Sequence, residues 1–160
     1  MEESASYQSD LNKTFADKRN LSLNEKPYEN SNPDNAFCVG HGSIACHFMN
    51  LTYDLDHLGQ LFDKFPNLYA DLSQREAYVA TIPRFAKQFM EKYTDRIVWG
   101  TDQGYSLPMY RNSFHILETL DEHFYAWDVS NTRWCLYGLG LSDATLKKLY
   151  HDNALKILRK

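Results

Sequence analysis

Side chains that could carry out chemistry stand at the ends of three short apolar runs. They are His41, Asp71, Arg75 and Asp102. Imidazole and carboxylate groups are ordinary zinc ligands, and a carboxylate beside a metal can accept a proton from an activated water. If the apolar runs are parallel strands, their carboxyl ends meet at one rim of a sheet. The pattern therefore suggests a rim at which a metal-activated water could be used.

Each of these residues also has a structural interpretation. His41 lies between two glycines and could order a tight loop, and Asp102 follows Gly-Thr and could cap the next turn. Asp71 could simply end its strand and pair with Arg75. The other histidines fall off the rim or on helices, where surface or core roles are expected: His47, His57, His115, His123 and His151.

The apolar runs and the amphipathic segments between them alternate along the chain. The runs end near Val39, Leu72 and Gly100 and predict buried strands. Helices are predicted at residues 55–65 with Asp54 as N-cap, 82–93 with Pro83 in the first turn, 109–122, 143–150 capped by Ser142, and 154–158. This βαβαβα order predicts about three parallel βα units plus C-terminal helices. It fits a doubly wound sheet or part of a TIM (β/α)8 barrel, between which periodicity does not choose.

The chain divides into two parts by composition. Residues 1–35 are rich in Ser, Asn, Asp, Glu and Lys and hold no lasting apolar period, which predicts a flexible polar arm. Residues 36–160 carry the strand and helix patterns and are predicted to form the folded domain.

Composition excludes several classes of protein. The 160 residues have a formal net charge of -4, with acidic and basic residues mixed, so nucleic acid is not an expected partner. No apolar run approaches the roughly 20 residues that cross a bilayer, so no membrane association is expected. Three cysteines without C-x-x-C spacing favour a reducing compartment, and the polar N-terminus does not resemble a secretion signal. We therefore predict a cytoplasmic protein.

Several segments resemble the C-terminal part of the amidohydrolase-related metal-dependent hydrolases. FCVGHGS at residues 37–43 is similar to the strand-six segment of that family. FDKFPNLYADLS at 62–73 is similar to helix six and strand seven, and KYTDRIVWGTD at 92–102 to strand eight. The tail is also similar, over LETLDEHF at 117–124, YGLGL at 137–141 and LKKLYHDNA at 146–154. The resemblance covers about residues 36–160.

The resemblance implies a (β/α)8 barrel with one or two divalent metals, zinc first among them. It implies hydrolysis of an amide, ester or lactone, or decarboxylation of an aromatic acid. By position, Asp102 resembles the strand-eight aspartate that binds metal and takes the proton of the attacking water. His41 resembles the strand-six histidine, a metal ligand or a contact to substrate or water. Arg75 is the expected substrate-binding residue.

The sequence also departs from the family. The family places a His-x-His pair on strand one and a histidine on strand five, and this chain has no His-x-His. One His and one Asp do not make the three-ligand site of catalytic zinc. Two hypotheses therefore stand: part of a truncated hydrolase acting on a small molecule, or a non-catalytic fragment or pseudo-enzyme that binds a partner. Open sheet edges would favour a homo-oligomer or a complementing chain.

Overall fold

Three short strands form a parallel sheet at the centre of the fold. The computed structural model describes residues 37–39, 52–72, 75–101, 105–126 and 133–158. The strands are β1 (Phe37–Val39), β2 (Leu68–Asp71) and β3 (Ile97–Val98). They lie in chain order, with β1 parallel to β2 and β2 parallel to β3. The parallel α/β organisation predicted from the sequence is thus confirmed within these residues, whereas the polar arm predicted at residues 1–35 lies outside them.

Helices connect and follow the strands. They are α1 (Thr52–Lys64), α2 (Glu76–Val79), α3 (Pro83–Lys92), α4 (Leu107–Glu118), α5 (Asp143–Lys147) and α6 (Asn153–Leu158), with a 3-10 turn at Thr94–Arg96 and a π turn at Lys148–Asp152. Ser142 caps α5 as predicted, since its hydroxyl accepts a hydrogen bond from the Thr145 amide at 3.3 Å. Among the helices in the described ranges, none is long and apolar enough to cross a membrane.

Several helix boundaries differ from the sequence prediction. Helix α1 begins at Thr52, so Asp54 lies in its first turn and is not the N-cap. Helix α4 ends at Glu118 rather than at residue 122, because the backbone at Thr119 is extended. The single helix predicted over residues 143–150 is an α turn that passes into a π turn.

Helices α1 and α3 lie side by side against the sheet. Phe62 of α1 packs on Phe89 of α3 with ring centroids 6.2 Å apart, and on Tyr93 at 5.2 Å. The strand beneath them is buried on both faces, since Leu68, Tyr69 and Ala70 are each at most 2% exposed. Because both helices cross over from one parallel strand to the next in the same direction, they cover the same face of the sheet.

Arg96 joins the start of β3 to the start of β2. Its Nε donates to the Leu68 carbonyl at 2.7 Å, and its Nη2 donates to the Phe65 carbonyl. The guanidinium also lies 5.4 Å from the centre of the Phe62 ring. Burial lowers the pKa of Arg96. This residue therefore fixes the ends of the two strands opposite the candidate rim.

The C-terminal segment covers the outer edge of β3. Val98 faces β2, where its carbonyl accepts from the Leu72 amide, so Ile97 and Trp99 present their backbone groups outward. The Trp99 amide donates to the Leu149 carbonyl at 3.0 Å, and the Asn153 side-chain amide donates to the Ile97 carbonyl at 2.7 Å. An open edge was expected for every terminal strand of a partial barrel. At β3 that expectation is wrong, because these bonds occupy it.

Candidate functional site

The carboxyl ends of β2 and β3 meet at a polar rim. Asp71 ends β2 beside Val98 of β3, and Gly100 is the second residue after β3. A Cβ placed on Gly100 would lie 2.5 Å from Oδ1 of Asp71, so only glycine leaves room for this carboxylate. Sequence reasoning placed Asp71 at the rim, and the structure brings its carboxylate against the chain that leaves β3.

Arg75 lies next to this rim, just before α2. Its guanidinium carbon is 5.3 Å from the centre of the Tyr78 ring, and that ring packs on Trp134 at 5.6 Å. Among the described residues, the buried Nε of Arg75 has no hydrogen-bond partner. Buried donors in proteins are nearly always satisfied, so an unpaired one beside a rim is a group that can donate to a ligand oxygen.

A buried acid behind the rim is hydrogen-bonded to the end of β3. Glu76 and Ser113 are each 3% exposed. The Trp99 indole Nε1 donates to the Ser113 hydroxyl at 2.7 Å, and that hydroxyl donates to Oε1 of Glu76 at 2.7 Å. An indole N–H only donates and a hydroxyl carries one proton, so the direction of both bonds is fixed.

Burial raises the pKa of Glu76 above its ordinary value of 4.5. The negative charge of Asp71 raises it further, while hydrogen bonds from Ser113 and Trp99 favour the ionised form and offset part of the rise. Glu76 is therefore an acid that holds its proton to higher pH than a solvated glutamate does.

Aromatic side chains enclose the Trp99 indole. Tyr110, Phe114 and Tyr150 lie 5.5, 5.4 and 5.8 Å from it, measured between ring centroids. The Tyr150 hydroxyl donates to Glu118 at 3.1 Å. Burial raises the pKa of Tyr150, so this hydroxyl remains a donor. The indole is thus held by rings on its faces and edges and by Ser113 at its polar end.

Two of the site residues predicted from the sequence, His41 and Asp102, lie outside the described residues. The described part of the rim does not fit a metal by itself. Across residues 52–72, 75–101, 105–126 and 133–158, no three His, Cys, Asp or Glu side chains come together as a metal site. Three protein ligands are usual for catalytic zinc, so a metal would need ligands beyond these ranges.

The remaining histidines have local roles where they are described. His115 bonds Asp121 at 2.7 Å and stacks on Phe124 with ring centroids 4.1 Å apart. His151 is exposed and bonds Asp152 at 2.8 Å. His57 lies on α1, and His47 is outside the described residues.

A separate cavity of about 440 Å³ lies between α1 and α3, in the helix layer rather than at the rim. Asp56, Asp63 and Lys92 line it together with the aromatic rings of α3. None of the rim residues lines it, so it is not part of the candidate site.

Sequence reasoning missed Glu76, Ser113 and Trp99 as members of the site. A usable signal existed for Ser113, which falls among Met109, Ile116 and Leu117 at helical spacing and is a polar residue on an apolar face. Glu76 and Ser113 are separated by 37 residues, so their contact is a product of the fold alone.

Comparison with known proteins gives one finding and two negative results. The family described as Amidohydrolase matches residues 37–160. No curated protein and no solved structure matches the chain. The matched range includes the sheet, the rim and the C-terminal segment that closes β3. The chain therefore belongs to the amidohydrolase family, and it matches the C-terminal portion of that family.

Proposed function

We propose that this chain forms the strand-six to strand-eight arc of a (β/α)8 barrel and carries part of a hydrolase active site. The family match supports this, as do the chain-order parallel sheet and the placement of both crossover helices on one face. In such barrels the catalytic groups lie at the carboxyl ends of the strands. The reaction we propose is attack of water on an amide, ester or lactone of a small molecule, or the related decarboxylation of an aromatic acid.

Within this proposal, each rim residue has a distinct role. Asp102 accepts the proton of the attacking water, and His41 contacts that water or the substrate. Arg75 donates to an oxygen of the substrate, and its unpaired buried Nε is the observation that carries this assignment. Members of the family generally use divalent metals. Zinc, when bound, would lower the pKa of the attacking water.

The proposed metal requires ligands in addition to His41 and Asp102. The chain has no His-x-His sequence, so we propose that the missing ligands come from a segment outside this sequence or from a complementing chain. Metal analysis of the purified protein by mass spectrometry, before and after addition of zinc, measures whether the chain holds metal alone.

Replacing Asp102 by Asn tests the proposed proton transfer. The amide keeps the size of the side chain but is not a base, so turnover in a hydrolase screen should fall to background while the thermal melt stays close to the wild type. Asp95→Asn is the matched control, because Asp95 lies before β3 at the opposite end of the same strand. Undiminished turnover in Asp102→Asn would remove Asp102 from the mechanism.

A non-catalytic binding module is the second candidate function. The departure of the sequence from the family pattern at the His-x-His pair favours it. This alternative predicts no turnover and no bound metal in the wild type, together with capture of a specific partner. Turnover that Asp102→Asn abolishes would exclude it.

We also propose a cytoplasmic location. Cys135 is a free thiol, and its Sγ lies 3.6 Å from the Tyr137 hydroxyl. A free thiol is usual in a reducing compartment. Fractionation of cells with an antibody to the C-terminal sequence measures the location.

A further inference from the structure

Two hydrogen bonds in series connect the Glu76 side chain to the end of β3. Glu76 lies on α2, after β2, whereas Ser113 lies on α4, after β3, and Trp99 is the first residue beyond β3. The bonds therefore tie two successive strand-to-helix connections together at the end of the sheet that carries the rim. We name this arrangement the Glu76 relay: Trp99 donates to Ser113, and Ser113 donates to Glu76.

The relay holds the chain immediately before Asp102. Trp99 is followed by Gly100 and Thr101, and Asp71 lies against Gly100 on the other side. Trp99 and Gly100 therefore set the point from which the chain continues towards Asp102. Surrounding rings hold the indole body, and the relay sets the rotation of its polar end.

If the side chain at position 76 only filled space, a residue whose burial costs less free energy than that of glutamate would serve. A buried carboxyl group without full solvation costs free energy, and an apolar side chain beside a serine bonded to its own helix would pack the same space. Glu76 instead accepts the Ser113 proton, which leaves a lone pair of the Ser113 oxygen directed at the Trp99 indole. Hydrogen bonds that are linked in a chain are stronger than isolated ones.

We propose that Glu76 is a positioning residue, which acts through Ser113 and Trp99 to fix the end of β3 from which Asp102 follows. This rests on the proposed function, in which Asp102 takes a proton from water. Glu76 itself touches neither substrate nor reacting atoms. The acceptor oxygen, rather than the negative charge, is the property that the relay requires.

The test compares variants that keep or remove the acceptor. Glu76→Gln keeps a carbonyl oxygen for Ser113, whereas Glu76→Met fills a similar volume without an acceptor. Ser113→Ala breaks the relay at its middle. Tyr150→Phe is the matched control, because it keeps the ring beside Trp99 and removes only a hydroxyl that bonds Glu118.

Two measurements on the full chain are needed. The first is the indole N–H resonance of Trp99 by NMR, assigned with Trp99→Phe, together with amide hydrogen exchange at residues 100–103. The second is kcat and KM for an activated aryl ester. We expect Glu76→Met and Ser113→Ala to shift the indole resonance and lower kcat by about tenfold to a hundredfold with little change in KM. Glu76→Gln and Tyr150→Phe should match the wild type.

The outcomes separate the relay from the proposed function. An unshifted indole resonance in Glu76→Met, or an equal loss in Glu76→Gln, overturns the relay. A shifted resonance with unchanged kcat and unchanged exchange at residues 100–103 overturns the positioning role. A wild type that shows no turnover even with zinc and the segment that supplies the missing ligands refutes the proposed function, and faster exchange at residues 100–103 in Glu76→Met but not in Glu76→Gln then still supports the relay.

Discussion

Glu76 is a carboxyl group in a position where its charge is poorly solvated. It is 3% exposed, and burial raises its pKa above the ordinary value of 4.5. Asp71 faces it across the rim, and Tyr150 also lies within electrostatic reach. A proton is therefore held more tightly by the folded chain than by the unfolded chain, which makes stability depend on pH.

A raised pKa in the folded state contributes stability that is fully present below about pH 4.5 and is lost as the pH rises through the folded pKa. Glu76→Gln stays neutral, so the difference in unfolding free energy between this variant and the wild type should grow in its favour above about pH 4.5. Urea unfolding of both proteins across a pH series measures this difference. Parallel curves for the two proteins would contradict it.

For Arg75, the sequence predicted a position but not the neighbours of the side chain. Its position after a strand predicted that it lies at the rim, and in the structure it lies between β2 and α2. Its ring partner Tyr78 and the exposed Trp134 beyond it were not predicted. Tyr78 and Trp134 are 56 positions apart, so no local pattern relates them.

Glycine positions give a prediction at the level of elements. A Cβ on Gly138 would lie 2.2 Å from the backbone carbonyl oxygen of Thr119, whereas one on Gly59 would lie 2.9 Å from the Tyr93 hydroxyl. A backbone carbonyl cannot move without moving the chain after α4, but the end of a tyrosine side chain can. In addition, Gly59 is inside α1, where alanine is the better helix former.

We therefore expect opposite behaviour from two matched substitutions. Gly138→Ala should lower the unfolding free energy by about 1–3 kcal/mol through overpacking. Gly59→Ala should change it by less than about 1 kcal/mol, because helix propensity offsets the displacement of Tyr93. Urea unfolding at one pH compares the two variants with the wild type. Equal losses would show that the Tyr93 side chain is as rigid as backbone.

The prediction of elements succeeded where an apolar period was long enough. The recurring apolar residues Leu58, Phe62 and Phe89 located α1 and α3, and the run at Leu68–Asp71 located β2. Helix α2 has four residues, which is about one turn and too short to show a period. The five residues of the π turn do not differ in pattern from α-helix, so the bond from the Trp99 amide to the Leu149 carbonyl was not foreseen.

The start of α1 was misplaced for a different reason. Asp54 is a favoured N-cap type that precedes an apolar period, and that rule placed the start two residues too late. The structure starts the helix at Thr52. Patterns of burial therefore locate a helix but not its first turn.

At the scale of the whole molecule, the two edges of the sheet differ. The outer edge of β3 is bonded to the C-terminal segment, while β1 is paired with β2 and has no second strand partner among the described residues. Unpaired strand edges favour association. We therefore propose that a second copy of the chain, if one binds, adds to β1 rather than to β3. A complementing segment that closes the proposed barrel must also displace the C-terminal segment from the outer edge of β3.

Asn153 provides the test at this scale. It is 2% exposed, and its amide donates to the carbonyls of both Thr94 and Ile97 at 2.7 Å. Asn153→Ala leaves these two carbonyls without that donor, which should cost about 1–3 kcal/mol and open the β3 edge. Light scattering coupled to gel filtration should show self-association that increases with protein concentration.

Asn112→Ala serves as the control, since Asn112 is a half-buried asparagine on α4. It should not change the apparent mass. If Asn153→Ala also keeps the apparent mass and the unfolding free energy of the wild type, the C-terminal segment is not what closes β3.

The π turn between α5 and α6 makes this segment sensitive to its number of residues. A π turn holds one residue more than the α turn that it replaces. An uninterrupted α-helix with the same number of residues would rotate everything after Lys148–Asp152 by about 100° about the helix axis. The Asn153 amide would then point away from Thr94 and Ile97, and the Leu149 carbonyl would return to its own helix. Substitutions at the exposed Lys147 leave this spacing unchanged, so we expect the length of the segment to be more strongly constrained than its composition.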